Sequence, residues 1–493
     1  MTANLHFNDE SMTGSELELR GAKLAGGLTE LGLQEGDAIA VLLQNVPAYA
    51  DVMMSCRIGG FYHCAINWHF RTAEIDYLLQ DSSAKALIVE ASLLAEAEPA
   101  IPEGMPVLVV GSANTRYPEY EHWLSNQEPY NGPSRAPRGL MPYTSGTTGK
   151  PKGVVRHPLQ PSHLETMKQL SEQTWGVKPG VRSLVAAPLY HSAPNSFTLQ
   201  SLLYGEMLVL MQKFDPETLL QLIEKHRITT VYLVPVMYVR LLRLPEEVRQ
   251  KYDISSVTFV ASTGAPCPPD IKTQMISWWG DVIYETYASS ETGMLTVQDP
   301  EGARTKPGSA GRPVLNAIIK IYREDGSECE VDEIGIIYGR QPAIPDFTYQ
   351  NNSQARKKIG RGELVTVGDM GYLDKDGYLF VCDRMSDMVI SGGVNIYPAE
   401  TENVIMQLDG VVDCAVFGVP DQEFGEALLA LIQLTKDSSL DTATIEKHLR
   451  GQLAGYKVPK TLKFTETLPR DDNGKVAKRK LKEQYWQNAK RKI

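Results

Sequence analysis

Tyr143-Thr-Ser-Gly-Thr-Thr-Gly-Lys-Pro-Lys-Gly153 is the stretch whose reading decides the rest. Its eleven residues hold three glycines, two lysines and four hydroxyl side chains besides Tyr143. Glycines let the backbone turn tightly and bring N–H groups close to a ligand. Thr144, Ser145, Thr147 and Thr148 add short donors, and Lys150 and Lys152 add charge. An apolar approach, Leu140-Met141, and a β-prone exit, Val154-Val155, frame the loop between strand-like segments. The composition suits a polyphosphate cradle. It is not the common P-loop, which needs Ser or Thr after Lys150 where Pro151 stands. A flexible surface loop is the plain alternative, but such loops seldom combine this density of Gly, Thr and Lys with a strand-like continuation.

Working outward, 493 residues exceed one ordinary core and predict two or more domains. The 42% hydrophobic and 22% charged content is that of a soluble globular protein. A formal charge of −11 argues against nucleic acid as the main partner, since backbone phosphates need concentrated positive charge. No apolar run approaches the length of a bilayer span, and the opening MTANLHFNDE lacks the basic and apolar regions of a secretory signal. Cys56, Cys64, Cys267, Cys329, Cys382 and Cys414 are scattered without a C-x-x-C, so free thiols in a reducing cytoplasm are expected.

The first 380 or so residues alternate short apolar runs with amphipathic patterns. Residues 38–43 (AIAVLL), 85–90 (KALIVE), 107–110 (VLVV) and 257–261 (VTFVA) read as strands covered on both faces of a largely parallel sheet. Residues 72–80 place Ile75, Leu78 and Leu79 on one helical face. Residues 216–226 form a second helix, with Pro216 in its first turn and Asp215 as its cap. From Gly308 hairpin signals crowd together, at 324–326 and 374–377, with a strand over 378–382. The expected class is α/β: a large N-terminal domain of layered α/β subdomains over 1–385, and a small mobile α+β domain over 386–493. Lys478, Arg479, Lys480 and Lys482 near the end read as a solvated helix face or as a contact with an anionic cofactor.

Seen together, the separated blocks carry a family pattern. They are YTSGTTGKPKG at 143–153, PLYHSAPN at 188–195, ASTGAP at 261–266 and YASSETG at 287–293. KPGSAGRP at 306–313, VGDMGYLDKDGYLF at 367–380, DRMSDMVISGGVNIYPAE at 383–400 and LPRDDNGKVAKRKL at 468–481 follow in order. In these motifs the chain resembles the adenylate-forming superfamily and, within it, the acyl- and aryl-CoA synthetases, over residues 12–485. The resemblance implies ATP, Mg²⁺ and coenzyme A as reactants, and two steps. A carboxylate and ATP give an acyl-adenylate and pyrophosphate; CoA then takes the acyl group and releases AMP.

The resemblance also assigns residues. Thr144, Ser145, Gly146, Thr147, Thr148, Gly149 and Lys152 are expected to hold the phosphates. Gly264, Ala265, Pro266, Tyr287, Ala288, Ser289 and Ser290 are expected along the nucleotide, with Tyr287 stacked on adenine. Asp369 would take the ribose diol, and Arg384 the ribose or a phosphate, although the two could instead pair with each other. Glu291 is the expected Mg²⁺ carboxylate. Lys475, after the Asn473-Gly474 turn, would offset the repulsion between the attacking carboxylate and the α-phosphate. Ser386 stands at the hinge where the family often has Asp or Lys, and Ala288 stands where Gly is common. Gly392 and Gly393 are expected near the pantetheine tunnel after the C-terminal domain rotates.

His191 reads as a gate between the acyl pocket and that tunnel, with a helix cap as the alternative. Asn195, Val234, Met237, Thr263, Tyr284 and Glu285 are the candidate pocket walls. Glu285 disfavours a second carboxylate, so a hydrophobic monocarboxylic acid is expected: fatty, aryl or ring-bearing, without ranking. An amide synthetase or a carrier-protein acylating enzyme would keep nearly every motif, and a non-catalytic nucleotide-binding module is the remote alternative. A homodimer is only the common default for soluble enzymes.

Overall fold

The computed structural model describes residues 2–112, 115–144, 151–265, 267, 269–391, 394–470 and 476–486. Two sheets build the N-terminal layers. One has nine strands, in the order Arg312–Pro313, Gly293–Gln298, Ile283–Ser289, Phe259–Ser262, Thr230–Leu233, Arg182–Val185, Met207–Leu210, Asn4–Phe7, Glu10–Met12. Its centre is parallel and both edges turn antiparallel. The other is a four-stranded parallel sheet, Tyr62–Ala65, Ala38–Leu42, Ala86–Glu90, Val107–Val110.

The apolar runs expected at 38–43, 85–90 and 107–110 are these parallel strands, and their alternation is visible in the core. Ile39, Val41 and Ile88 face the large core shared with the nine-stranded sheet, while Ala38, Ala40, Leu42, Leu87 and Val89 pack into a second cluster. Side chains of period two on a sheet covered on both faces produce this division. The fourth expected strand begins two residues later than read, at Phe259, because a turn from Ile254 to Val257 precedes it.

Helices Gly14–Glu30 and Pro47–Gly59 fill the space between the sheets, and Gly21 sets their approach. A Cβ at Gly21 would lie 2.4 Å from the Cβ of Met54. The helix Pro216–His226 starts as read, with the Asp215 side chain accepting the Thr218 N–H at 2.9 Å. Asn45 staples the two layers. Its amide donates to the carbonyls of Ala187 and Met211, both at 3.0 Å, and its oxygen accepts the Leu189 N–H at 2.9 Å. That single buried side chain fixes the loop leading to His191.

Two antiparallel units follow. A six-stranded sheet runs from Ile318–Tyr322 to Leu379–Arg384, with the turn at 374–377 closing as expected. A three-stranded sheet joins Tyr143–Thr144, Lys152–Arg156 and Phe347–Tyr349. The C-terminal five-stranded sheet spans Val389–Ser391 to Thr461–Thr465. With helices Pro398–Ile405 and Thr442–Gln452 it closes its own core around Val416, Ile432 and Ile445. This is the mixed α/β architecture read from the sequence, a large N-terminal part and a small C-terminal one. No helix among the described residues is long and apolar enough to cross a membrane.

Candidate active site

The residues flanking the glycine-rich stretch, Tyr143–Thr144 and Lys152–Arg156, are antiparallel strands. Tyr143 lies opposite Gly153 and Thr144 opposite Lys152, while Phe347–Tyr349 pairs on the far side with Phe347 opposite Arg156. Ser145, Gly146, Thr147, Thr148 and Gly149 lie outside the described residues. Tyr143 is fixed by donating its hydroxyl to Asp81 at 2.8 Å.

This small sheet reaches Glu291. The strand Ile283–Ser289 bulges between Tyr287 and Ala288, and Ser289 Oγ then accepts the N–H groups of Glu291 at 3.2 Å and Thr292 at 2.9 Å. A bulge re-aims the residues that follow it. Ser290 Oγ donates to Ser192 Oγ at 3.2 Å, tying the turn to the helix that begins beside His191. Glu291 is 8% exposed, and its Oε1 accepts from Thr144 Oγ1 at 3.0 Å and from the Tyr349 hydroxyl at 3.1 Å. Burial and the neighbouring Glu291 push the Tyr349 hydroxyl well above its ordinary range, so it remains a donor. Among the described residues no ion pair reaches the Glu291 carboxylate. A carboxylate held by neutral hydroxyls through one oxygen fits a hard divalent cation on the other.

Asp369 and Arg384 are cross-strand partners in the next hairpin. Arg384 Nε donates to Asp369 Oδ1 at 3.3 Å, and the Tyr287 hydroxyl donates to Oδ2 at 2.6 Å. The pairing foreseen as an alternative for Asp369 and Arg384 is therefore present. Arg384 remains half exposed while Asp369 is nearly buried. Three of the residues expected around the nucleoside thus meet at one point. Gly264 and Ala265 follow the strand Phe259–Ser262, and Gly264 adopts φ +93°, where a side chain would be strained. Pro266 lies outside the described residues.

The expected acyl-wall residues are more dispersed. Thr263 Oγ1 donates to the Thr286 carbonyl at 2.6 Å, joining adjacent strands. Tyr284 stacks on Phe259 with ring centroids 3.9 Å apart, and so points to the opposite face of its strand from Glu285. Glu285 is ion-paired with Lys272, a buried lysine that also donates to Gln298 Oε1 at 2.5 Å. That pairing removes the unbalanced negative charge on which the preference for a monocarboxylic acid rested. Val234 caps, and Met237 is buried in, the helix Pro235–Leu242. Asn195 is buried: its amide donates to the Leu189 carbonyl at 2.9 Å and lies 3.2 Å from His63 Nε2. Burial pushes the His63 imidazole down to about 4, so the ring is neutral at ordinary pH. His191 occupies the N-cap position of the helix Ser192–Tyr204, but its side chain makes no capping bond; its ring lies 4.2 Å from that of Tyr190.

Ser386, the expected hinge residue, is exposed and its carbonyl accepts Lys482 Nζ at 3.1 Å. Lys478 pairs with Glu402 at 2.8 Å. Burial alone would lower the Lys478 ammonium, but Glu402 and Asp383 outweigh it and the net shift is upward. Of the basic cluster Arg479 and Lys480 face solvent while Lys478 and Lys482 are largely covered, so the solvated-face reading holds for only part of it. Asp383, three residues before Ser386, accepts the Ala399 N–H at 2.9 Å in the first turn of the helix Pro398–Ile405. Gly392, Gly393 and Lys475 lie outside the described residues.

Arg156, Tyr349, Lys272 and His63 are the residues that sequence reasoning missed. Arg156 carried a faint signal: a charged residue closing the apolar pair Val154-Val155, right after the glycine-rich loop. The others meet their partners only through tertiary packing: Tyr349 reaches the Glu291 turn, Lys272 reaches Glu285 from the helix Pro269–Trp279, and His63 reaches Asn195 on the helix Ser192–Tyr204.

Known proteins match this arrangement end to end. Residues 2–345 match the AMP-binding enzyme family, and residues 400–475 match the AMP-binding enzyme C-terminal domain. A feruloyl-CoA synthase from Amycolatopsis sp is 34% identical over 481 residues, covering 96% of this chain and 94% of that protein. The o-succinylbenzoate CoA synthetase of Bacillus subtilis, solved with its acyl-adenylate intermediate, superposes with a TM-score of 0.83 at 28% identity, covering 98% and 95% of the two chains. An amide bond synthetase from Marinactinospora thermotolerans shares the fold, with a TM-score of 0.87 at 24% identity over 98% of this chain and 97% of that one. With both parts matched in order and over nearly its whole length, the chain belongs to the AMP-binding enzyme family, as an adenylate-forming ligase of the acyl- and aryl-CoA type.

Proposed function

We propose that this enzyme activates a largely hydrophobic carboxylic acid, aromatic in the first instance, to an acyl-adenylate and transfers the acyl group to CoA. The observation that carries the reading is the Glu291 carboxylate, nearly buried, held by two hydroxyls and faced by no described cation. The aromatic choice leans on relatives named for feruloyl-CoA and o-succinylbenzoate.

In this reading Glu291 holds Mg²⁺ against the ATP phosphates, where the ion would draw charge from the phosphoryl oxygens. Thr144, Lys152 and the loop 145–149 grip the same phosphates. Tyr287 packs against adenine with its hydroxyl anchored on Asp369, whose carboxylate also meets the ribose diol. Lys475 places its ammonium between the incoming carboxylate and the α-phosphate, offsetting their repulsion as charge develops. The domain boundary lies at 385/386, and rotation about Ser386 would exchange Lys475 for Gly392 and Gly393, the turn nearest CoA. His191 gates the tunnel, with Ser192 linking its helix to the Glu291 turn. The free thiols support a reducing, cytoplasmic setting.

The test is acid-dependent AMP release with Mg²⁺ and ATP over a panel of cinnamate-type, other ring-bearing and fatty acids, each with and without CoA. AMP and thioester with aromatic acids, only when CoA is present, is the expected result. AMP with no thioester under any acid would instead direct the acyl group to an amine or a carrier protein.

A further inference from the structure

The three-stranded sheet that carries the glycine-rich loop touches the Glu291 turn with one residue from each strand. Thr144 and Tyr349 reach the carboxylate, and Arg156 reaches the backbone. Arg156 Nη2 donates to the carbonyls of Ser290 at 2.6 Å and Glu291 at 3.1 Å, while Nη1 donates to the Pro345 carbonyl at 2.7 Å. Its guanidinium also lies 5.7 Å from the ring of Phe347, its cross-strand neighbour. Glu291 and Asp346 attract it only from a distance, and Asp346 is taken by Arg356 at 3.0 Å. A partly buried guanidinium spent on three carbonyls is an unusual use of a charge that ordinarily seeks a carboxylate. Its position explains the choice. A donor to the carboxylate itself would neutralise the oxygen that a cation needs; a donor to the carbonyls fixes the turn and leaves the carboxylate its charge.

We propose that Arg156 is a positioning residue that locks the backbone of the Glu291 turn to the far end of the strand Lys152–Arg156, holding the metal carboxylate beside the other end, where Thr144 meets it opposite Lys152. The proposal rests on the reading of Glu291 as the Mg²⁺ ligand. Tyr349, two residues along from the cross-strand partner of Arg156, orients the carboxylate of the same turn. Arg156 makes no contact with the reacting atoms. Its effect is on how well the loop and the metal engage one polyphosphate at once.

Calorimetric ATP binding with and without Mg²⁺ tests this in the intact enzyme, without catalysis. Lysine keeps the charge but cannot fork across two carbonyls. Arg156→Lys should therefore reduce the Mg²⁺ enhancement of ATP affinity by about tenfold while Mg²⁺-free affinity moves by less than about twofold. Tyr349→Phe, which removes a single hydroxyl, should reduce the enhancement in the same direction by a smaller factor, and keeps the test alive if Arg156→Lys folds poorly. Thioester formation from supplied acyl-adenylate and CoA should be unchanged in both. Equal weakening with and without Mg²⁺, or an unchanged enhancement in Arg156→Lys when Glu291→Gln has lost it, would overturn the lock alone. An undiminished enhancement in Glu291→Gln would overturn the metal role of Glu291 and the lock with it.

Discussion

The Glu291 turn and the segment around Ser386, the proposed hinge, are held in opposite ways. The first is fixed by hydroxyls and backbone carbonyls, with Arg156 turned to the carbonyls and not to the carboxylate. The second is fixed by ion pairs, Lys478 to Glu402 and Lys482 to Asp387, with Asp383 meeting a helix N-terminus across the hinge. Neutral donors hold a group still without cancelling its charge, which suits the cation-binding role proposed for Glu291. The ion pairs all lie on the C-terminal side of the proposed boundary and are largely shielded from solvent, so they brace that part internally, while the Ala399 N–H on Asp383 is a contact that crosses the boundary. The same contrast extends below the first site, where His63 is kept neutral beneath Asn195.

The largest effect is expected at Lys475, the residue proposed to offset the repulsion between carboxylate and α-phosphate. Lys475→Ala should lower adenylate formation by at least about 10²-fold while sparing thioester formation from supplied acyl-adenylate. Rapid-quench assays of each half-reaction check this.

Next comes the hinge-side pair. Lys478→Met strands Glu402 in a largely buried site and should destabilise the C-terminal part by about 3–5 kcal/mol. Pairing it with Glu402→Leu should restore most of the loss, because the desolvation cost disappears with the charges. Urea unfolding followed at Trp486 reads both, and no recovery in the double variant would deny that the interaction is ionic.

A smaller, pH-dependent effect belongs to the neutral side. The folded His63 titrates near 4 against 6.5 when unfolded, so between those values the unfolded chain binds the extra proton. Stability from this group is full above about pH 6.5 and falls by about 3 kcal/mol as pH drops toward 4. His63→Gln should flatten that acid limb in denaturant titrations; an unchanged limb would place its cause elsewhere. The smallest effect is at the surface, where Arg479→Ala breaks only an exposed pair with Glu483 and should change stability by less than about 0.5 kcal/mol.

Much of this was legible in the chain. The doubly covered strands announced themselves because burial on both faces demands continuous apolar runs, as at 86–90 and 107–110. The helix at 216–226 carried its cap and first-turn proline. Tyr287, Asp369 and Arg384 were named from motifs, and the structure brings them into mutual contact. The acyl wall was not legible to the same degree. Tyr284 and Glu285 are adjacent in sequence yet face opposite sides of a strand, and Lys272, which neutralises Glu285, joins it only when helix and sheet pack. The basic cluster near the end misled for a related reason: helical spacing sends Lys478 and Lys482 inward together and leaves Arg479 and Lys480 outside.

The measurement that most directly tests the division of labour is Glu291→Gln assayed in the two half-reactions separately, with Mg²⁺ titrated in the first. The account predicts adenylate formation reduced by about 10²–10³-fold, with a weakened Mg²⁺ dependence, and conversion of supplied acyl-adenylate plus CoA to thioester at the wild-type rate. Equal loss in both halves, with the Mg²⁺ dependence intact, would contradict it.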